Sequence, residues 1–268
     1  MNGSLVWIGV GVALSLLLLF NLCFTFLYER LLFQGDSLPD DYSFNFDFEY
    51  QEIRLQPAPN VQLHGLLLQA KQAKGVILYF HGNRGNLTRW GQIADEIRKT
   101  YTYDVLVMDY RGYGKSIGTR SEAMLYQDVL TTYDYAHDEL GYDQVVIHGR
   151  SIGTTMATYL AAHRPAKQLI LETPMTRLRA VIPLLNSLLI YKPSLKYELD
   201  SKARINQIKC PILIFHGTKD RVVSYELGLE LYNEINSESK KIITISGGKH
   251  NNLDSFEIYQ LAMRRILN

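Results

Sequence analysis

Six short apolar runs alternate with helix-like stretches through most of this chain: Gly75 to Phe80, Asp104 to Met108, Gln144 to Ile147, Gln168 to Leu171, Pro211 to Phe215 and Lys241 to Ile245. A strand covered on one side alternates apolar with polar residues, whereas a run apolar on both faces must be covered on both. Helices between successive runs make the strands parallel, with right-handed crossovers. The predicted helices are Leu87 to Thr100, Ser121 to Leu140, Thr154 to His163, Ser224 to Ile235 and Asn252 to Leu267, with Ser224 as an N-cap. The fold class that follows is α/β, with a mostly parallel central sheet flanked by helices. Upstream, Glu49 to Pro57 and Val61 to Gln69 flank Ala58-Pro59-Asn60 and read as a hairpin of antiparallel edge strands.

The amino terminus follows another rule. Leu5 to Tyr28 carries no charge, and as a helix it would reach roughly 36 Å, more than the ~30 Å of a bilayer's hydrocarbon core. No Lys or Arg precedes Arg30 and no small-x-small cleavage site ends the run, so an uncleaved transmembrane helix is expected rather than a signal peptide. Leu22 before Cys23 argues against a lipoprotein. With only Arg30 to count, the membrane side of the domain is unspecified. The organisation expected is a membrane anchor at 1–30, a tether at 31–48 rich in Asp and aromatic residues, and an α/β domain at 49–268. Within it, 174–204 is an apolar insertion that reads equally as ordinary helix packing or as a small cap over a pocket.

Composition narrows the function. At 268 residues there is room for one large α/β domain, and a net charge of +1 gives no basic face for nucleic acid. Cys23 and Cys210 are placed too differently to pair, and no metal site or cofactor is expected. Gly114-Lys115-Ser116 resembles the end of a phosphate-binding loop, but Asp109 stands where its first glycine belongs. Asn86-Leu87-Thr88 matches a glycosylation triplet and opens a predicted helix, so it carries little weight.

Chemistry concentrates where strands end. Gly149-Arg150-Ser151-Ile152-Gly153 lies between an apolar run and a helix, the setting of a nucleophile elbow, in which glycines let backbone approach a strained serine. A serine hydroxyl needs a base to take its proton and a carboxylate to orient that base. Asp220 and His250 follow at intervals of 69 and 30 residues, each just past its own strand, and the order Ser, Asp, His is that of α/β-hydrolases. The oxyanion hole is expected from the backbone amides of Ile152 and of Asn83, the latter in the glycine-bracketed loop His81 to Asn86. His81 and His216 read as packed residues, Asp254 as a decoy partner for His250, and Arg84 and Arg150 as partners of structural carboxylates rather than of an anionic head group.

His81-Gly82-Asn83, Asp109 to Ser116, Gly149 to Gly153, His216 to Asp220 and Gly248-Lys249-His250 together resemble the α/β-hydrolase superfamily. The likeness is to its membrane-anchored serine hydrolases, near the serine-aminopeptidase-like, lysophospholipase-like and depalmitoylase-like branches. It implies cofactor-independent hydrolysis of an ester or thioester of an acyl lipid or acylated protein, through an acyl-enzyme on Ser151. Two alternatives stay open: a peptidase or amidase of the same fold, and a catalytically silent binding protein.

Overall fold

Successive residues of a strand point to opposite faces of its sheet, and the core strands are filled accordingly. In β3 (Val76–Phe80), Val76, Leu78 and Phe80 join one hydrophobic cluster while Ile77 and Tyr79 join the other. The same alternation holds in β4 (Asp104–Met108), β5 (Val145–Arg150), β6 (Gln168–Glu172) and β7 (Ile212–Gly217), all buried throughout. A computed structural model describes residues 3–181 and 196–267. With β1 (Gln51–Ala58), β2 (Val61–Leu68) and β8 (Lys240–Ile245), these strands form one eight-stranded sheet in the order β1-β2-β4-β3-β5-β6-β7-β8. β1 and β2 are antiparallel, β2 meets β4 antiparallel, and every other pairing is parallel. The expected hairpin and parallel sheet are therefore present, and β1 and β8, on the edges, alternate buried and accessible residues.

Helices cover both faces. α1 (Gly3–Leu32) precedes the sheet; α3 (Glu122–Asp134) and α4 (Gly153–His163) pack on the first cluster through Leu125, Val129, Met156 and Leu160. α2 (Leu87–Tyr101) packs on the second through Trp90, Ala94 and Ile97. After a short α5 (Leu178–Val181), α6 (Tyr225–Glu234) joins the first face through Leu231, and α7 (Glu257–Leu267) the second through Tyr259 and Met263. Each such Leu, Ile or Met contributes about 1.5–3 kcal/mol by leaving water.

Two helix boundaries and one cap differ from the sequence reading. The helix expected over Ser121 to Leu140 ends as an α-helix at Asp134 and continues as a π-helical turn, Tyr135–Glu139. The one expected from Asn252 begins as a separate 3-10 turn, Leu253–Ser255. Ser224 occupies the N-cap position of α6, but its side chain makes no capping bond. Of the apolar insertion at 174–204, residues 182–195 lie outside the described residues.

The amino-terminal run is a helix, as expected, and Val6, Trp7, Ile8, Val12, Leu14, Leu16 and Leu18 on it are all exposed. Among the described residues, no helix is long and apolar enough to cross a membrane, against the expected span. Beyond α1 the chain runs along the loops at the strand ends. Phe33 is buried edge-on against Tyr197 at 5.0 Å, and Gln34 N–H donates to the Asn83 carbonyl at 2.9 Å. Phe44, Phe46 and Phe48 then stack in series, with Phe44 also parallel to the buried His64 ring.

Candidate active site

β5 is the central support. Ser151 follows its last residue with φ 54, a left-handed conformation unusual for a residue with a Cβ. Two close approaches explain the flanking glycines. A Cβ on Gly149 would lie 2.7 Å from both the Ala157 Cβ and the Thr154 Cα, and one on Gly153 would overlap the Phe80 carbonyl. The chain can therefore turn from strand to helix within two residues, and the Ser151 N–H anchors the turn by donating to the Glu172 carbonyl at 2.9 Å.

β7 and β8 deliver the other two groups. Their following loops are tied together by Lys219 N–H donating to the Gly248 carbonyl at 2.8 Å and Thr218 N–H to the Ile245 carbonyl at 3.0 Å. A Cβ at Gly217 would collide with Gly248, so the two loops lie in contact. Across them His250 Nδ1 lies 2.8 Å from Asp220 Oδ2, and His250 Nε2 lies 3.0 Å from Ser151 Oγ. With Nδ1–H donating to the carboxylate, Nε2 is left to accept from the serine hydroxyl. The three side chains proposed from sequence order are thus brought together, and Asp254 takes no part, lying exposed beside a separate cavity of 460 Å³.

Asp220 is fully enclosed. Its Oδ1 accepts from the Val222 and Val223 amides at 2.8 and 3.0 Å, and His216 Nε2 lies 3.5 Å from Oδ2. Burial pushes the carboxyl toward protonation; the hydrogen bonds from His216, His250 and Val222, with the charge on His250, outweigh it and hold the group well below the usual carboxylate range. His81 and His216 are completely buried, as the sequence reading expected, with His81 Nδ1 against the Gly82 carbonyl at 2.7 Å.

Asn83 lines the same 350 Å³ cleft as Ser151 and His250, and Ile152, directly after the serine, is the N-cap of α4. Four successive carbonyls of the Asn83 loop are occupied. Tyr110 Oη donates to His81, His81 itself meets Gly82, Tyr113 Oη donates to Asn83, and Trp90 Nε1 donates to Arg84, all at 2.7–2.8 Å. Among the described residues neither the Asn83 nor the Ile152 N–H has a protein acceptor, so both amides are available to an incoming oxygen. Tyr110 and Tyr113 were not read from sequence as supports of this loop. Their place in the motif Asp109 to Ser116, just past β4, was the available signal.

Behind the elbow a buried polar cluster also escaped the sequence reading. Glu172, at the end of β6, faces Arg150 Nε at 3.6 Å and His148 Nε2 at 3.3 Å, and accepts from Tyr259 Oη at 3.4 Å. Burial raises its pKa, but the Arg150 charge and His148 outweigh that and leave it lowered. Arg150 therefore has the structural carboxylate expected for it. Arg84, exposed in the cleft, has none among the described residues. Among the described residues no three His, Cys, Asp or Glu side chains are grouped to hold a metal ion.

The chain is 29% identical over 260 residues to protein bem46 of Schizosaccharomyces pombe, covering 90% of this chain and 86% of that one. It is 35% identical over 181 residues to the rat lysophosphatidylserine lipase ABHD12, covering 59% of this chain and 44% of the lipase, so it spans less than half of that relative's length. The esterase Pf2001 of Pyrococcus furiosus superposes with a TM-score of 0.71 at 17% identity, over 88% of this chain and 96% of that one, a likeness of fold alone. A family profile described as serine aminopeptidase, S33, matches residues 71–205 and 190–254, well over half of the chain. An α/β-hydrolase sheet with a serine at its elbow, matched by that profile along most of its length, makes this chain a serine hydrolase of the S33 α/β-hydrolase family.

Proposed function

We propose that this hydrolase is membrane-anchored and cleaves carboxylic esters or thioesters of acyl lipids or acylated proteins through an acyl-enzyme on Ser151. The observation that carries the reading is the unbroken relay Ser151 Oγ, His250, Asp220 at 3.0 and 2.8 Å. His250 Nε2 takes the hydroxyl proton as Oγ attacks the substrate carbonyl, while Asp220 holds Nδ1–H and stabilises the imidazolium. The amides of Asn83 and Ile152 receive the developing oxyanion, each worth about 2.7–4 kcal/mol in the transition state. His250 then returns its proton to the leaving alcohol or thiol, and a water deprotonated by the same nitrogen releases the acid and regenerates the serine.

Three features support an acyl-lipid substrate. The relative ABHD12 is a lysophosphatidylserine lipase. α1 presents exposed apolar side chains along its described length. Its penultimate residue, Leu31, forms part of the cleft wall, which puts the site at the end of the proposed anchor. Peptide or amide hydrolysis is the second reading, favoured by the family's description as serine aminopeptidase.

Labelling with a fluorophosphonate tests the nucleophile: the natural chain should label and Ser151→Ala should not, and Ser151→Ala or His250→Ala should lose about 10⁴–10⁶ in kcat. Equal labelling of both proteins would refute the mechanism. Turnover of matched ester, thioester and amide series separates the readings, since faster turnover of amides than of esters would favour the peptidase.

A further inference from the structure

Two arginines at the cleft carry guanidinium groups that, among the described residues, form no ion pair. Arg84 follows Asn83 in the loop after β3, and Arg89 lies in the first turn of α2; both are exposed and both line the 350 Å³ cleft that contains Ser151 and His250. Among the described residues neither has a carboxylate within ion-pair distance, whereas Arg54, Arg111 and Arg164 are each paired with an aspartate. Ile182 to Leu195, outside the described residues, contains no Asp or Glu that might serve them. The remaining arginine of the lining, Arg150, is already compensated by Glu172. Among the described residues no acidic side chain lines the cleft, although the chain as a whole is nearly balanced at a net charge of +1.

The pair is also organised. The Arg89 guanidinium lies 4.8 Å from the centroid of the Trp90 ring, and that same indole donates its Nε1–H to the Arg84 carbonyl at 2.8 Å. One buried ring thus steadies both the side chain of Arg89 and the backbone of Arg84, which reduces the entropy lost when guanidinium forks close on a ligand. Two uncompensated forks suit a phosphate, whose several oxygens can accept from both, better than they suit a neutral alcohol. Leu31 and Val222, the exposed apolar residues of the lining, offer the contrasting surface for an acyl chain.

We propose that Arg84 and Arg89 form a phosphate-binding subsite, so that the substrate is an acyl ester with a phosphate group on its alcohol side; this rests on the ester-hydrolase reading above. The test uses the full chain in neutral detergent with two soluble probes below their aggregation limit, hexanoyl glycerol phosphate and monohexanoylglycerol. Ser151→Ala protein, titrated with each while Trp fluorescence is followed, should bind the phosphate ester at least about 10-fold more tightly, the size of one charge-assisted hydrogen bond. Adding Arg84→Gln and Arg89→Gln should bring that ratio close to one, and Arg84→Lys with Arg89→Lys should restore part of it. In the protein with Ser151 intact, the same preference should appear in kcat/KM, mainly through KM.

Equal binding of the two probes, or a ratio that the double Gln variant leaves unmoved, overturns the subsite. If the double variant loses affinity only for phosphatidylglycerol vesicles and keeps the probe ratio, the arginines serve the bilayer surface and the proposal fails. Turnover of both esters without preference removes the subsite and leaves the hydrolase reading standing. A binding preference of the predicted size without turnover of either ester sustains the phosphate contact and removes the hydrolase reading.

Discussion

Asp220 shows how one buried carboxylate couples catalysis to stability. Its pKa is depressed in the folded state, so its contribution to stability is complete above the unfolded value of about 3.9 and is lost as pH falls toward the folded one. Asp220→Asn should therefore flatten the dependence of the urea midpoint on pH between about 4 and 2, the window in which the natural chain loses this contribution. The same variant should lower kcat by about 10⁴ through the wrong imidazole tautomer, since an amide nitrogen beside Nδ1 cannot accept its proton. An unchanged acid limb would mean that the hydrogen bonds to Asp220 do not set its titration. Ser151, Asp220 and His250 were legible in the sequence because each sits one short step past an apolar strand, and strand ends gather at one edge of a parallel sheet. Glu172 was not, because an acidic residue closing a strand looks like the start of a loop until Arg150 and His148 are seen against it.

At the level of elements, the two serine caps separate a sequence signal from a realised interaction. Ser121 accepts the Met124 N–H at 3.2 Å at the start of α3, while Ser224 caps no backbone amide of α6. Ser121→Ala should cost about 0.5–2 kcal/mol in chemical denaturation. Ser224→Ala should stay within about 0.5 kcal/mol, and a loss at Ser224 as large as at Ser121 would contradict this assignment. Cap residues are recognisable by type, but the bond depends on the rotamer that the folded structure selects. The strand assignments held because alternation into two clusters is a strong pattern, whereas the switch from α- to π-helical turns at Tyr135 left no periodic mark.

For the whole molecule, the proposed membrane anchoring rests on α1. If α1 is an anchor, the full chain should remain with membranes through alkaline carbonate extraction. Replacing Leu14, Leu16 and Leu18 together with Arg should release it, each charge costing about 2.5–3.5 kcal/mol at the helix centre. Retention of the triple variant would show that another surface binds the membrane. The amino-acid sequence by itself determined the α/β class, the strand and helix succession and the order of nucleophile, acid and base, because hydrophobic periodicity and turn chemistry are local properties of the chain. Only the tertiary structure decided that Tyr110 and Tyr113 brace the Asn83 loop, and that Arg150 is compensated while, among the described residues, Arg84 and Arg89 are not. These are contacts between residues far apart in the chain, and they exist only once the sheet has set the distances between its strand ends.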